Sequence, residues 1–168
     1  MEASTLRPSS QTIQTAGQTT TRSAAETREV GRRLGASAFP GTLLALHGAL
    51  GAGKTELAKG VAEGLGVRSV VNSPTFILMN EHVGRLRLFH VDAYRLTDPD
   101  EALAAGLLDE RQAGGVTVIE WAERLDGRLP GDRLDLTLEA PHPGSDERVL
   151  RWRVRGARHA RLAAALAR

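Results

Sequence analysis

Residues 48–55, which read GALGAGKT, constrain this chain more than any other segment. They fit the phosphate-loop pattern G-x-x-x-x-G-K-[ST], in which glycines allow backbone N–H groups to curl around phosphate oxygens. The apolar run 42–47 precedes the loop, and the helix-period segment 56–65 follows it. A buried strand before the loop and a helix after it are the context that the pattern requires. We therefore predict a phosphate-binding loop rather than a glycine-rich turn that happens to contain a lysine.

Two side chains of this loop match particular parts of a metal-bound nucleoside triphosphate. Lys54 supplies a positive charge for the outer phosphates. Thr55 offers a hydroxyl oxygen to Mg2+, which prefers oxygen ligands and usually shares them between protein, water and phosphates. The helix that begins here adds the positive end of its dipole. These residue types predict the binding of a nucleotide together with Mg2+.

A second anchor for the metal is expected at the end of a neighbouring buried strand, where phosphate-loop proteins usually place an acid. Glu120 follows the apolar run 116–119 and fits that position, although a carboxylate that simply emerges into solvent is the alternative. Asp92 ends the predicted strand 86–91. It would order the attacking water or hold a metal-bound water, or else be a structural turn aspartate. Trp121, beside Glu120, fits either packing or ligand contact.

The length of 168 residues favours a single domain, and the composition excludes several kinds of site. Without cysteine, neither disulfides nor thiolate metal sites can form, and the five histidines show no metal-ligand spacing, so we expect no zinc site. His47 and His90 receive no functional role. The first residues lack the profile of a signal peptide, and no apolar run reaches the length of a membrane span. We expect a soluble, cytoplasmic protein.

The net charge of +2 hides an uneven distribution, because residues 148–168 hold seven arginines and no acidic residue. Such a stretch would suit contact with nucleic acid or an acidic partner. The whole chain, however, uses arginine heavily and has lysine only at Lys54 and Lys59. Global compositional bias is therefore the favoured explanation, and a binding role for the arginine-rich stretch is the alternative.

The sequence also bears on the choice of nucleotide. Neither Asn72 nor Asn80 stands in an Asn-Lys-x-Asp type of guanine-reading sequence, which favours ATP over GTP. The dinucleotide fingerprint G-x-G-x-x-G is absent as well. The nucleotide that we predict is therefore ATP.

The phosphate loop, set between a predicted strand and a predicted helix, indicates a single-domain α/β fold of the phosphate-loop NTPase type, with a mixed, mostly parallel sheet flanked by helices. Residues 1–21 are rich in Ser, Thr and Gln and are predicted to form a flexible arm, with a short edge strand near Ile13 as the alternative. The phosphate-loop ATPase domain then covers residues 22–168. Its first helix begins at Ser23, which forms a capping box with Glu26.

Shorter patterns predict the remaining elements. Residues 76–79 and 86–91 indicate an antiparallel pair of strands, and a helix is expected from Asp98 to about Leu108. The alanine-rich end, residues 157–167, is predicted to be helical. Two later strands show clear alternation, which places the following residues on one face: Leu134, Leu136, Leu138, Leu150, Trp152 and Val154.

Four motifs follow one another along the chain: GALGAGKT, then Ser73-Pro74-Thr75, then HVDAYRL at residues 90–96, then IEW at residues 119–121. In this order the chain resembles the TsaE family, small bacterial ATPases that are required for making threonylcarbamoyladenosine beside the tRNA anticodon. A phosphate loop alone is shared by very many proteins, whereas this series of motifs at these spacings is specific. The resemblance covers about residues 23–154.

The resemblance implies an ATPase that is weak alone, is stimulated by partner proteins, and uses ATP and Mg2+. The implied metal ligands are Thr55 and Glu120, and Asp92 would be important for hydrolysis, so the predicted catalytic residues are Lys54, Asp92 and Glu120. Residues 73–75 would act like a switch near the nucleotide. The implied nucleotide-binding residues are Gly48, Leu50, Gly51, Ala52, Gly53, Lys54 and Thr55.

The resemblance also implies partners and leaves two alternatives open. The partners would be TsaD, which transfers the threonylcarbamoyl group, and TsaB, with tRNA contacted through their complex. Ala49 departs from relatives that often carry an acid there, which matters little because the loop holds phosphate through backbone N–H groups. The alternatives are a small-molecule kinase, since many are single phosphate-loop domains of similar length, and a non-enzymatic module that ATP binding switches.

Overall fold

The computed structural model of the chain describes residues 15–72, 79–104, 106–125 and 127–167. The strands are β1 (Ala16–Thr21), β2 (Thr42–His47), β3 (Met79–His82), β4 (Leu88–Asp92), β5 (Val116–Glu120), β6 (Arg133–Glu139) and β7 (Arg148–Arg155). The α-helices are α1 (Ala24–Ser37), α2 (Lys54–Gly64), α3 (Pro99–Ala104) and α4 (Ala163–Leu166). Short 3-10 helices cover Glu110–Gly114, Ala122–Leu125 and Arg158–Leu162.

All of these strands join one seven-stranded sheet in the order β1-β7-β6-β2-β5-β4-β3. The central strands β6, β2, β5 and β4 are parallel to one another, whereas β7 and β3 run antiparallel to their neighbours β6 and β4. Strand β1 is antiparallel to β7 and so runs in the same direction as the central strands. The predicted α/β fold with a mixed, mostly parallel sheet is confirmed.

The sheet has a hydrophobic core on each face, because successive side chains of a strand point to opposite sides. On one face, Leu44 and Leu46 of β2 pack with the buried side chains of α1 and α2. On the other, Leu43 and Ala45 pack with residues that include Ala102 of α3. Since both faces of β2 are covered, this strand is a continuous apolar run, as parallel central strands usually are.

Close packing of α1 on α2 fixes the helix that follows the phosphate loop. A Cβ atom on Gly60 of α2 would lie 2.0 Å from the carbonyl oxygen of Arg28 in α1. A Cβ atom on Gly31 of α1 would lie 2.2 Å from the carbonyl oxygen of Leu57 in α2. These glycines let the two helix backbones touch directly, and α1 in turn buries Val30 against the core. Helix α2 is thereby held closely against α1.

Several predicted local features are confirmed. The Ser23 hydroxyl accepts the Glu26 N–H at 3.1 Å, and the Glu26 carboxylate accepts the Arg22 N–H at 2.7 Å, which caps α1. The expected antiparallel pair is present as β3 and β4. Strand β3 spans Met79–His82, however, so it lies later in the chain than the first predicted strand, residues 76–79, of which 76–78 lie outside the described residues. The alternating leucines of β6 are buried and lie opposite the apolar residues of β7, with Leu136 across from Trp152. Among the described residues, no helix combines the length and apolar character needed to span a membrane.

The prediction of a flexible arm over residues 1–21 is wrong for its last part, because Ala16–Thr21 form β1 at the sheet edge. The alternative strand near Ile13 lies outside the described residues. The error has a physical cause. Strand β1 has few apolar side chains of its own, and it is covered by an apolar side chain of β7. A Cβ atom on Gly17 would lie 2.5 Å from the Trp152 ring, so the indole packs directly on the β1 backbone.

The helix predicted to run from Asp98 to about Leu108 is shorter, since α3 ends at Ala104. Gly106 adopts a left-handed φ of 93°. Its N–H donates to the Leu103 carbonyl at 3.0 Å, and the Leu107 N–H donates to the Ala102 carbonyl at 3.1 Å. This pair of bonds is the Schellman ending of a helix, which a glycine in the left-handed region favours. The alanine-rich end is helical as predicted, although Arg158–Leu162 is a 3-10 turn.

Candidate functional site

The phosphate loop lies between β2 and α2 and depends on glycine at three positions. Gly48, Gly51 and Gly53 have φ values of 140°, 78° and 105°, which L side chains rarely adopt. A Cβ atom on Gly48 would also lie 2.4 Å from the carbonyl oxygen of Leu138 in β6. The loop therefore turns tightly and approaches the neighbouring strand more closely than any other residue would allow.

Lys54 begins α2 and is only 4% exposed. Its ammonium donates to the carbonyl oxygens of Gly48 at 2.5 Å and Ala49 at 2.9 Å, and it lies 3.9 Å from the centre of the Trp121 ring. Burial lowers the pKa of Lys54, and the negative charge of nearby carboxylates, Glu120 first among them, opposes that shift. The loop thus contains a largely dehydrated cation that is held by neutral carbonyls and an aromatic face.

Glu120 ends β5 and is 2% exposed. Its Oε1 accepts a hydrogen bond from the Thr55 hydroxyl at 2.7 Å, and its Oε2 accepts one from His90 Nε2 at 2.6 Å. Asp92 is its register partner on β4. The start of α2 and the end of β5 therefore bring the two predicted metal ligands, Thr55 and Glu120, into direct contact.

The donor set fits Mg2+ better than a softer metal. A hydroxyl and a carboxylate are hard oxygen donors, and Mg2+ typically takes one or two protein ligands and completes its octahedron with phosphate and water. Within the described ranges, no group of three or more His, Asp or Glu side chains could hold a metal by itself. The oxygens of Thr55 and Glu120 thus fit a metal that arrives with a nucleotide.

Asp92 ends β4 at the cavity wall. Its Oδ1 accepts the backbone N–H of Tyr94 at 2.9 Å, which is the geometry of an aspartate turn. The Asp92 side chain therefore shapes the turn and also lines the cavity. The register between β4 and β5 places it beside Glu120.

Trp121 has an unusual backbone for so large a residue. Its φ of 58° makes it the one non-glycine residue with a positive φ in the described part of the chain. Its ring lies 4.7 Å from that of Tyr94, centre to centre, and covers the Lys54 ammonium. Strained backbone of this kind costs free energy, and it concentrates at functional sites. The indole lines the cavity, and its partly buried side chain also packs against the hydrophobic core of that face.

These residues line one cavity of about 470 Å³, within the range of small-molecule sites. Of the predicted residues, Leu50, Gly51, Ala52, Gly53, Lys54, Thr55, Asp92 and Glu120 line it, whereas Gly48 does not. Gly48 contributes to the site through its carbonyl oxygen, which accepts a hydrogen bond from the Lys54 ammonium. Other parts of the chain complete the wall: Ala24, Thr27, Glu56, Tyr94, Arg95, Trp121, Asp146 and Arg148.

A family model described as "Threonylcarbamoyl adenosine biosynthesis protein TsaE" matches residues 21–149, which include the loop, Asp92 and Glu120. The chain belongs to the TsaE family. That range contains all the elements that build the cavity, since it runs from the end of β1 into the start of β7.

Individual relatives agree with this family assignment. The tRNA threonylcarbamoyladenosine biosynthesis protein TsaE of Bacillus subtilis is 42% identical over 145 residues, which cover 85% of this chain and 89% of that protein. The protein of the same name from Treponema pallidum is 39% identical over 126 residues, 75% of this chain and 93% of its own length. The crystal structure of Bacillus subtilis YdiB matches with a TM-score of 0.73 and 34% identity, covering 90% of this chain and 94% of that one.

One further residue of this TsaE-family site, Arg148, was not predicted from the sequence. Arg148, the first residue of β7, donates to the carbonyl oxygens of Gly51 and Ala52, both at 3.1 Å. It also donates to the Ser145 and Glu147 carbonyls in the turn before β7. One guanidinium therefore ties the phosphate loop to the β6–β7 turn, a contact that only the folded chain reveals.

The two histidines that received no role from the sequence differ in the structure. His90 is buried and bonded to Glu120. His47 lies at the end of β2 within 3.2 Å of Glu123 and 3.3 Å of Asp135. Burial alone would raise the pKa of Asp135, but hydrogen bonds from His47, Arg155 and Arg133 hold it well below its usual range. That second cluster is an ion-pair network on the sheet and lies outside the cavity.

The arginine-rich stretch 148–168 lies almost entirely beyond the TsaE family match. Arg151 pairs with Glu139 at 2.5 Å, and Arg155 pairs with Asp135 at 2.5 Å. Arg158 donates to the Pro40 carbonyl at 2.8 Å. In the folded chain these three arginines therefore make contacts within the molecule. The predicted switch, residues 73–75, lies outside the described residues.

Proposed function

We propose that this TsaE-family chain binds ATP together with Mg2+ and hydrolyses the ATP as part of tRNA threonylcarbamoyladenosine biosynthesis. The observation that carries the proposal is the convergence of Lys54, Thr55, Asp92 and Glu120 on one cavity at the ends of parallel strands. The relatives described above are tRNA threonylcarbamoyladenosine biosynthesis proteins, which supports the biosynthetic context.

The phosphate loop and Lys54 would hold the triphosphate. The Lys54 ammonium is nearly removed from water and donates to two neutral carbonyls, so a phosphate oxygen would offer it a charged acceptor instead. Charge-assisted hydrogen bonds are roughly twice as strong as neutral ones, and they gain further where water is excluded. The left-handed Gly51 and Gly53 leave the loop backbone open to close approach by phosphate.

Thr55 and Glu120 would hold Mg2+, since their oxygens already meet at 2.7 Å. When bound, Mg2+ neutralises charge that develops on the transferred phosphoryl group. Asp92 would orient the attacking water and accept its proton, because the Tyr94 N–H holds its carboxylate at the cavity wall. Trp121 would shield the outer phosphates from bulk water on the side where it now covers Lys54.

The proposal includes partner proteins. By the family resemblance these are TsaD and TsaB, with tRNA reached through their complex, and hydrolysis by the chain alone would be slow. Arg148 lines the cavity, but its guanidinium donates to loop carbonyls, so its present contacts suit a role in holding the loop. A stabilising arginine supplied in trans raises phosphoryl-transfer rates by about 10^3 to 10^5 in known systems. The cytoplasmic location predicted from the sequence remains part of the proposal.

The test compares Lys54→Ala with Lys59→Ala, which removes the only other lysine of the chain. Lys59 lies on the same helix outside the cavity, 3.5 Å from Glu56. For Lys54→Ala we expect either no ATP binding in calorimetry or a turnover at least about 100-fold below that of the wild type. A loss of this size is typical when one key charge-stabilising donor is removed. Lys59→Ala should behave as the wild type, and TsaD with TsaB should accelerate the wild type. Unchanged affinity together with unchanged hydrolysis in Lys54→Ala would refute the assignment.

The two alternatives predict different outcomes in the same assays. A small-molecule kinase would transfer labelled γ-phosphate to a metabolite, so release of inorganic phosphate alone across a metabolite panel excludes it. A non-enzymatic module would tolerate loss of hydrolysis. If Glu120→Gln or Asp92→Ala abolished hydrolysis but left tRNA modification intact in cells, the module would replace the ATPase.

A further inference from the structure

His90 is fully buried and donates from Nε2 to Glu120 Oε2 at 2.6 Å. We propose that His90 is a positioning residue that fixes the Glu120 carboxylate for Mg2+, and that this histidine sets how strongly the metal tightens nucleotide binding. The inference rests on the proposed function, because it concerns the metal ligand of the same site. His90 itself does not line the cavity, so it would act only through Glu120.

The hydrogen-bond pattern assigns different tasks to the two contacts of Glu120. Oε1 accepts from Thr55, which is itself a predicted metal ligand, so a metal would compete for that hydroxyl. Oε2 accepts from His90, which has no part in binding the metal. Since an ionised carboxylate only accepts hydrogen bonds, Nε2 must carry the proton. The His90 contact is therefore the one that can persist while Thr55 turns to the metal.

Packing alone does not explain a histidine at this position. His90 lies opposite Val118 in β5 and two residues after Leu88 in β4, and both of these neighbours are buried and apolar. Among the described residues, His90 Nδ1 is one of few buried side-chain nitrogens without a hydrogen-bond partner. Leaving such an atom unpaired is unfavourable, and an apolar side chain would avoid it. The bond to Glu120 is the compensating interaction that the structure offers.

Groups that orient a metal ligand commonly affect metal binding strongly. Loss of such an outer partner typically lowers metal affinity by about 10- to 100-fold. A carboxylate without its partner samples other rotamers and must be ordered again when the metal binds. The expected defect is therefore specific to the metal and should not weaken the contacts that nucleotide makes with Lys54 and the loop.

His159 provides a matched control elsewhere in the molecule. It is also fully buried, and its Nδ1 lies 2.7 Å from an oxygen of Asp132. Its Nε2 accepts the Leu43 N–H at 2.9 Å, so both of its nitrogens have partners. It does not line the cavity, so replacing it perturbs the fold without touching the site.

The experiment measures ADP affinity by calorimetry, once with excess Mg2+ and once with EDTA, and takes the ratio of the two affinities. His90→Leu should lower this ratio by about 10- to 100-fold while the affinity in EDTA stays within twofold of wild type. His90→Asn, whose shorter amide does not reach Glu120, should do the same, which keeps the test informative if the leucine variant fails to fold. His90→Gln can extend an N–H toward the position of Nε2 and should restore most of the ratio, and His159→Leu should leave it unchanged.

The outcomes separate this inference from the proposed function. If the wild type binds ADP more tightly with Mg2+ and His90→Leu and His90→Asn keep the full ratio, the role of His90 is overturned and the proposed function stands. If both variants weaken binding equally with Mg2+ and with EDTA, His90 is structural and the inference is again overturned. If the wild type does not bind nucleotide at all, both the proposed function and this inference are overturned.

Discussion

Near each end of the central strands a fully buried histidine is bonded to a carboxylate, but the two histidines differ in whether both ring nitrogens have partners. At the amino end, His159 bridges Asp132 and the Leu43 N–H, so both ring nitrogens are satisfied. At the carboxyl end, His90 holds Glu120 with one nitrogen and leaves the other without a partner among the described residues. The first arrangement is complete in the chain alone, and the second is not.

Other features of the carboxyl end point the same way. Lys54 is a buried cation without a bonded carboxylate in the described contacts, and Trp121 holds a left-handed backbone. Such features cost stability and persist where a ligand or a reaction needs them. In this comparison the carboxyl end differs from the amino end in its unsatisfied and strained groups, and not in burial or residue type. Substitutions should therefore affect function at one end and stability at the other.

Glu120→Gln should give the largest effect. The amide keeps the size of the side chain but loses the charge that Mg2+ needs, so Mg2+-dependent turnover should fall by at least about 100-fold. Removing a buried charge relieves its desolvation, so the free energy of unfolding should change by less than about 2 kcal/mol. Hydrolysis assays and urea unfolding measure the two effects. If the variant retains turnover, the proposed role of Glu120 as a ligand of Mg2+ is contradicted.

His159→Leu should reverse that pattern. It leaves the Leu43 N–H without its acceptor and Asp132 without its donor, so the free energy of unfolding should fall by about 2 kcal/mol. ADP affinity should remain that of the wild type, because the cluster lies at the opposite end of β2 from the loop. Urea unfolding and calorimetry test this. A loss of nucleotide affinity in a well-folded variant would break the distinction between the two ends.

Arg148→Ala should have a moderate effect on the site. The guanidinium donates to two loop carbonyls, and without it the phosphate loop must be ordered when nucleotide binds. We expect ADP affinity to fall by about tenfold, which corresponds to roughly 1.4 kcal/mol. Arg151→Ala is the control, since Arg151 lies on the same strand but pairs with Glu139 on the exposed surface. Equal losses in both variants would indicate a general electrostatic effect on binding.

Those parts of the site that depend on contiguous sequence motifs could be predicted. Contacts between residues that lie far apart in the sequence could not. The loop, its flanking elements and Glu120 follow from contiguous patterns, and the structure brings them together. The Arg148 contact with Ala52 spans 96 positions, and the His90 contact with Glu120 spans 30. A local sequence pattern covers too few residues to include both partners of such a hydrogen bond. Strand β1 was not predicted for the same reason: its own residues are mostly polar, and the apolar side chain that packs on it, Trp152, comes from a distant part of the sequence.

The smallest effect concerns pH and tests the amino-end cluster alone. Burial lowers the pKa of His159 from 6.5, with Asp132 opposing the shift and Arg158 adding to it. Below pH 6.5 the unfolded chain therefore binds the proton more readily than the native protein. The stability that neutral His159 contributes is present above that value and is lost as pH falls toward the native pKa, by at most about 1.4 kcal/mol per pH unit.

The comparison of wild type with His159→Leu isolates this contribution. Burial lowers the pKa of His82 as well, but that group is common to both proteins and cancels in the difference. Urea unfolding between pH 8 and pH 5 should show the largest gap in stability above pH 6.5 and a narrowing gap below it. A gap that stays constant across this range would mean that His159 binds protons equally in the folded and unfolded chain, and its burial would then have no effect on its protonation.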